Sequence, residues 1–346
     1  MKEAMNMLFV MVRKQNAEMT KQSLVVMLFS LLGLCSCSFN KENTLFTLDV
    51  EFVERITEFP DSSFFSDIRK MEYEDGKIYL LDVKRGDLVS LTEDFKQMEI
   101  VAPHSEIDLV MPASFAIEDD TICVYDYGSV KTMKVYAEGK QLRSMSSFRV
   151  KEMRMAMNDS FIWASAPTDT SCYIRLNRWN PDEFILSGKV EKEENAKRTM
   201  KKNSKHFLSG NNEMLYAVSE AYPLVDKYDM KSGALKESLD ISNVFFIKEN
   251  LEFAASQNLD PNSFFVHVTD ACLYENELYL LCPSLGMPYR CNMLLKIDVG
   301  GNEMRLVGYY ELPGNVYRSI CVSDEHLFVA FQGRDCAIEK YRLNDN

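Results

Sequence analysis

A hairpin signature that recurs six times, a sixth copy that stops one strand short, and a strand-like N-terminal segment outside every copy predict an all-β chain. Its architecture is a six-bladed β-propeller closed by an N-terminal outer strand, with a short helical insertion between blades 4 and 5. Each copy is an extended apolar run, a polar turn, a second run, a loop, and a strand ending in a turn. The anchors of the second run are Ile78 (KIYLLD), Ile122 (TICVYD), Phe161 (SFIWAS), Leu215 (EMLYAVS), Leu278 (ELYLLC) and Leu327 (HLFVAF).

The first unit shows how a copy parses into four strands. Residues 68–73 lead into Glu74-Asp75-Gly76, an Asp-Gly turn suited to a tight hairpin. Residues 77–81 follow, then a loop at 82–86, a strand at 87–91, a turn at 92–94 and a strand at 95–101. The turn between third and fourth strands recurs as VYAEGK, KYDMKSG and KIDVGGN. Asp229 and Asp298 open such turns and glycine closes them. No DxDxDG spacing accompanies them, so no metal is assigned there.

The last unit supplies runs at 316–322, 327–331 and 336–343 and then ends. The segment 45–56 (LFTLDVEFVERI) fills its missing fourth place, which removes a free sheet edge. Irregular third and fourth units leave five or seven blades open. Anchor spacings of 44, 39, 54, 63 and 49 residues put the additions after the third and fourth anchors. One addition, 189–205, is dense in both charge signs. The other, 242–263, reads as a short amphipathic helix and turn, with Phe245, Phe246, Leu251 and Phe253 before Asp260-Pro261. In an up-and-down blade, loops after the second and fourth strands emerge on one face. Both additions therefore share that face, where binding is expected.

The chain has 346 residues, 46% of them hydrophobic, and a net charge of −13. Residues 1–36 hold four basic and two acidic side chains, which leaves about −15 on the remainder. A body that acidic repels phosphate backbones, so nucleic acid is not an expected partner.

The N-terminus carries a processing signal. An apolar run of eleven residues, 24–34, follows Lys21-Gln22 and is too short to span a bilayer. It leads into Leu34-Cys35-Ser36-Cys37, which resembles a bacterial lipobox with Cys37 as the lipid acceptor. A plain secretory signal with an incidental cysteine is the competing reading. The expected organisation is a signal peptide at 1–36, a lipidated linker at 37–44 and the propeller at 45–346. A second apolar stretch precedes the signal, so translation is expected to start at Met19. Of the seven remaining cysteines, Cys282 and Cys291 flank a short loop and are candidates for a disulfide in an oxidising compartment.

The GxSxG, HExxH, Walker and GxGxxG spacings are absent, and no catalytic, metal or cofactor residue is assigned. Nine residues before each anchor, in the strands expected to line the channel, stand Arg69, Ala113, Glu152, His206, Thr269 and Arg318. Arg69 and Arg318 fall on neighbouring blades of a closed ring and would form a fork for a carboxylate or another anion, with Glu152 and His206 nearby. The competing reading is that these charges pair locally and merely close the channel. On the face with the additions, Arg85, Tyr127, Tyr289, Arg290 and Arg334, with Tyr125 and Tyr222, suit a recognition surface, and ordinary packing between blades nearly as well.

A lipobox signal followed by six irregular YLxD-type units resembles the six-bladed propeller lipoproteins of Bacteroidetes, within the TolB-like propeller group. The resemblance covers most of the chain from residue 37 and implies an exported protein, lipid-anchored to the outer membrane on its periplasmic or surface side. The expected role is a membrane-tethered binding module for an envelope protein, peptide or glycan. A propeller hydrolase or lyase with a site at the channel mouth is the alternative.

Overall fold

The computed structural model describes residues 45–104, 109–128, 130–137, 140–146, 150–180, 182–210, 213–260, 263–285 and 290–344. Contacts divide the chain into Met1–Thr44 and Leu45–Asn346, and only the second unit is described. The signal, the linker and Cys37 thus lie outside the described residues.

The described chain is all-β apart from two helices. It begins with an 11-residue strand, β1 (Phe46–Ile56). Four sheets of four antiparallel strands follow in sequence. The first holds β2 (Ile68–Glu74), β3 (Lys77–Asp82), β4 (Leu88–Thr92) and β5 (Met98–Ala102). The second holds β6 (Pro112–Glu118), β7 (Thr121–Asp126), β8 (Thr132–Ala137) and β9 (Lys140–Ser146). The third holds β10 (Ala156–Met157), β11 (Phe161–Ser165), β12 (Tyr173–Asn177) and β13 (Phe184–Ser187). Helix α1 (Ala196–Lys202) leads to the fourth: β14 (Lys205–Ser209), β15 (Met214–Ser219), β16 (Leu224–Asp229) and β17 (Leu235–Asp240). After helix α2 (Phe245–Ser256) come β18 (Asp270–Tyr274), β19 (Glu277–Ser284), β20 (Arg290–Asp298) and β21 (Arg305–Glu311). The chain ends with β22 (Tyr317–Val322), β23 (His326–Gln332) and β24 (Cys336–Asn344).

The fold is propeller-like, yet its sheets do not number six separate ones. The last seven strands and β1 form one eight-stranded sheet in the order β18-β19-β20-β21-β1-β24-β23-β22. The N-terminal strand causes this fusion. It pairs antiparallel with β24, from Asp49–Asn344 to Ile56–Ile338, as its alternating pattern predicts. Its first residues also run parallel to β21, with Phe46, Thr47 and Leu48 beside Gly308, Tyr309 and Tyr310. A glycine makes that approach feasible: a Cβ on Gly308 would meet the Phe46 carbonyl oxygen at 2.7 Å.

Turn chemistry and burial explain the hairpins. Asp75 and Gly76 both take positive φ, 48° and 75°, as a two-residue hairpin turn requires. The aspartate that ends KIYLLD is structural. Buried Asp82 accepts from the backbone N–H groups of Ser66 (2.7 Å) and Asp67 (3.1 Å), fixing the entry into β2. Asp126 does the same for Val110 (3.1 Å) and Met111 (2.7 Å) before β6. Such charge-assisted bonds tie the second strands of the first two units to the starts of those units.

Among the described residues, five apolar clusters lie between consecutive units, and a sixth joins the last unit to the first. Leu81 and Leu88 pack against Phe115 and Val124, and Cys123 and Tyr125 against Ile162 and Ile174. Trp163 and Tyr173 meet Phe207 and Tyr228, and Val218 and Phe246 meet Leu280 and Leu295. Leu281 and Tyr310 pack on Val329 and Tyr341, and Phe328 and Ile338 on Ile78 and Val89. Each fully buried aliphatic or aromatic side chain contributes roughly 1.5–3 kcal/mol, so this cycle of interfaces holds the units together. The first strands β2, β6, β10, β14, β18 and β22 neighbour one another in the same order.

Helix α2 sits where the helical insertion was expected, between β17 and β18, and buries Phe246 and Ile247. The mixed-charge addition holds a second helix, α1, capped by Asn195, whose side chain accepts from Arg198 N–H.

Candidate functional site: the axis and the loop face

The first strands bring a polar cluster to the axis. Arg154, 1% exposed, lies just before β10 and grips Asp270 of β18 with two bonds of 2.7 Å, Nε to Oδ1 and Nη2 to Oδ2. Nη2 also donates to the Ile320 carbonyl oxygen at 2.6 Å. The same carboxylate accepts from Ser319 Oγ (2.7 Å) and Ile320 N–H (3.0 Å) on β22, and Ser319 Oγ accepts from Met71 N–H of β2 at 2.9 Å. Lys70 Nζ stands 3.7 Å from Asp270 Oδ1, and His206 Nδ1 3.8 Å from it. One buried carboxylate thereby ties together residues from five units.

Burial alone would raise the Asp270 pKa. Arg154 and Lys70, with the Arg154 hydrogen bonds, instead hold it well below the usual carboxylate range. Burial lowers Lys70 to about 8 against the attraction of Asp270. Burial and the Lys70 charge lower His206 to about 3, so its imidazole is neutral. Its Nδ1 accepts from Arg154 N–H at 3.4 Å, and its buried Nε2 has no hydrogen-bond partner.

Beyond this lock lies an axial cavity of about 110 Å³, lined from all six first strands by residues including Glu72, Ala116, Arg154, Leu208, Cys272 and Cys321. Burial raises Glu72 to about 8, opposed by Arg154, whose Nη1 stands 3.6 Å away. Burial also raises the Cys272 thiol to about 12 and Cys321 well above its ordinary value, so neither supplies thiolate near neutrality. Pockets for drug-sized ligands run about 300–1,000 Å³, well above this volume. Among the described residues no three His, Cys, Asp or Glu side chains are grouped to hold a metal ion.

The two ends of the axis differ. The six turns after the first strands, with the strand ends that flank them, carry Glu74, Asp75, Glu118, Asp119, Asp120, Asp159, Glu213, Glu275, Asp324 and Glu325 against Lys77, and the turns after third strands at the same end add Lys96 and Lys231. Burial, then Asp119, Glu74 and Asp159, raises Glu118 to about 7 there. The opposite face, built from loops after second and fourth strands, exposes apolar side chains: Phe64 (72%), Val110, Met111, Val130 (61%), Leu285 and Val316.

Strand register decides which of the residues named from sequence turn inward. Ladder register shifts fall at Arg69, Ala113 and Arg318, each skipped between its neighbours. A bulged residue is re-aimed, so the next position turns inward. Lys70, Ser114 and Ser319 accordingly take the polar inner positions. Arg69 bonds Asp67 and Glu152, each at 3.3 Å, and Arg318 donates to Gln332 Oε1 at 2.8 Å. Arg69 and Arg318 thus take separate partners, and the Arg69–Glu152 bond runs between the first and third units. His206 does reach the axis. Glu152 pairs with Arg69 instead, because the lead into the two-residue β10 is irregular and Arg154 is the side chain turned inward.

On the loop face, Arg85 pairs with Asp87 (2.9 Å) and Asp61 (3.3 Å) over the Phe59 ring. Tyr127 lies under Lys131 Nζ at 3.8 Å. Arg334 is exposed, Arg290 half-buried, and Tyr289 lies outside the described residues. Tyr125 is buried and Tyr222 donates to Glu193 Oε1 at 2.7 Å. Cys282 and Cys291 are free, buried thiols rather than a disulfide. A bulge after Cys282 sets Met293 opposite it and leaves Cys291 opposite Pro283. Sequence reading missed Lys70, Arg154, Asp270 and Ser319. A charged residue inside an apolar first-strand run, as in VTDACLY and MRMAM, was the available signal.

No family model and no curated protein matches the chain. Solved structures do. A luciferin-regenerating enzyme aligns with a TM-score of 0.50 at 9% identity, covering 86% of this chain and 97% of that one. Virginiamycin B lyase from Staphylococcus aureus aligns with a TM-score of 0.50 at 10% identity, covering 85% of this chain and 100% of that one. At such identities the likeness is one of fold.

Proposed function

We propose that residues 45–346 are a six-bladed propeller that acts as a binding module for a protein, peptide or glycan of the cell envelope, with recognition on the loop face. The cyclic order of six apolar interfaces supports the blade count, with the eight-stranded sheet read as two blades fused through β1. The module is tethered through a lipid on Cys37 at the outer membrane, in keeping with the lipobox-like signal. On this reading the chain is a propeller lipoprotein of the kind the sequence resembles. One observation carries the choice of face: exposed apolar side chains gather on the loops, while the turns after the first strands, at the other end, are predominantly acidic. Apolar patches of this kind mark interaction sites. The axis, locked by Arg154 and Asp270, serves as a structural hub.

The test is capture of envelope components by the immobilised 45–346 unit. A Phe64→Ser, Val130→Ser variant loses the captured component, and Asp119→Ser, Asp120→Ser retains it. The reverse pattern overturns the choice of face.

A hydrolase or lyase remains the second reading, favoured by Glu72. A carboxyl group held near pH 8 beside Arg154 in the axial cavity has the protonation range of a general acid or base. The fold likeness to a lyase is compatible with it. If Glu72→Gln leaves a measured lyase activity unchanged, this reading fails.

A further inference from the structure

We infer that a cleft between the first and second sheets is a binding site for a small organic ammonium ion. It lies at the end of the fold opposite the loop face and is independent of the role assigned to that face. The core between these two sheets contains Leu81, Leu88 and Ala102, which pair side by side across β3, β4 and β5. The next row on the same face is Tyr79, Ser90 and Glu99, again paired strand to strand. A serine where the preceding row has a leucine leaves the space between the sheets unfilled. The result is a cavity of about 220 Å³, twice the volume of the axial one, walled on the far side by Ile122 and Tyr136 and rimmed by Lys77, Asp119 and Asp120.

Two polar groups in the cleft lack partners among the described residues. Ser90 is 3% exposed, and its Oγ makes no hydrogen bond; the hydroxyl of half-buried Tyr79 makes none either. The backbone of Ser90 is committed to the ladders with β3 and β5, so its side chain is the part that lines the cavity. A buried hydroxyl without a partner is destabilising, and one that faces a cavity marks a place for a guest.

The surrounding charge chooses the guest. Glu99, Asp119 and Asp120 bring three carboxylates against the single ammonium of Lys77. Burial, then the negative charges of Asp75, Glu99, Glu74 and Asp120, raises the Tyr79 phenol, in keeping with a negative potential in the cleft. Lys77 pairs with Glu99 at 3.5 Å, and both side chains are more than a third exposed, so this pair is weak and open to exchange. The carboxylates are not grouped as metal ligands, so a bare divalent ion lacks its cage. An ammonium group can instead donate to Ser90 Oγ and to a carboxylate while its carbon body lies against the Tyr79 and Tyr136 rings.

The 45–346 unit has its own closed set of cores and can be tested alone, by amide chemical-shift titration with n-butylammonium, and with n-butanol and butyrate as controls. Saturable shifts at Tyr79, Ser90 and Tyr136 are expected with the ammonium only. Glu99→Gln and Asp119→Asn should each weaken binding about fivefold, and Lys77→Gln should strengthen it by about as much, because it removes the competing ammonium. Ser90→Val fills the gap and should abolish the shifts while the rest of the spectrum stays native. The absence of a saturable shift overturns the inference, as does equal binding of butanol or butyrate. A Lys77→Gln variant that binds no more tightly than wild type overturns it too.

Discussion

Arg154 and Asp270 show what a buried ion pair does in this molecule. Each is 1% exposed or less, and both carboxylate oxygens accept hydrogen bonds. Asp270→Asn leaves the guanidinium uncompensated and should cost about 3–5 kcal/mol in urea unfolding. Arg154→Met with Asp270→Leu removes the pair but leaves buried Lys70 without its carboxylate, so it should recover part of that loss, which a double-mutant cycle reads directly. His206 gives the pH signature. Its folded pKa is about 3 against 6.5 for the free group, so between those values the unfolded chain binds the extra proton. Stability therefore falls as pH drops from 6.5 toward 3, by about 1.4 kcal/mol per unit from this residue. His206→Gln should flatten that slope relative to wild type, and an unchanged slope refutes the assignment. Residue-level reading from sequence failed at the bulges. Arg69 and Arg318 occupy the right depth, but a bulge is set by pairing with the neighbouring strand, which no local pattern records.

At the scale of elements, β1 was legible because an unassigned alternating strand and a blade lacking one imply each other. Its second pairing was not, since contact with β21 depends on Gly308 rather than on any pattern within β1. Gly308→Val should push Phe46 and Leu48 off β21 while leaving the β24 ladder intact. Faster amide hydrogen exchange confined to the start of β1 is the expected readout. The β19–β20 hairpin offers a second check. Thiol titration of the 45–346 unit in denaturant without reductant should count seven free cysteines. A count of five would mean that two are bridged, and mapping the pair to Cys282 and Cys291 would restore the disulfide. The charged addition was legible as a segment dense in both charge signs. Its pairing was not: Glu193 takes Arg198 at 3.0 Å and also Lys202, because α1 folds back over its own lead.

For the molecule as a whole, periodicity carried the architecture, since six similar hairpins can bury their faces only against one another. Periodicity says nothing about which polar residues meet on the axis, because those come from strands about 50 residues apart and one step of register inverts each. The proposed division of labour is an axis that holds the sheets and a loop face that binds. The most direct test is capture of envelope components by the Arg154→Met, Asp270→Leu variant of the 45–346 unit. It should fold and retain its captured component with an affinity within about threefold of wild type. A folded variant that has lost the component would place binding on the axis and contradict the account.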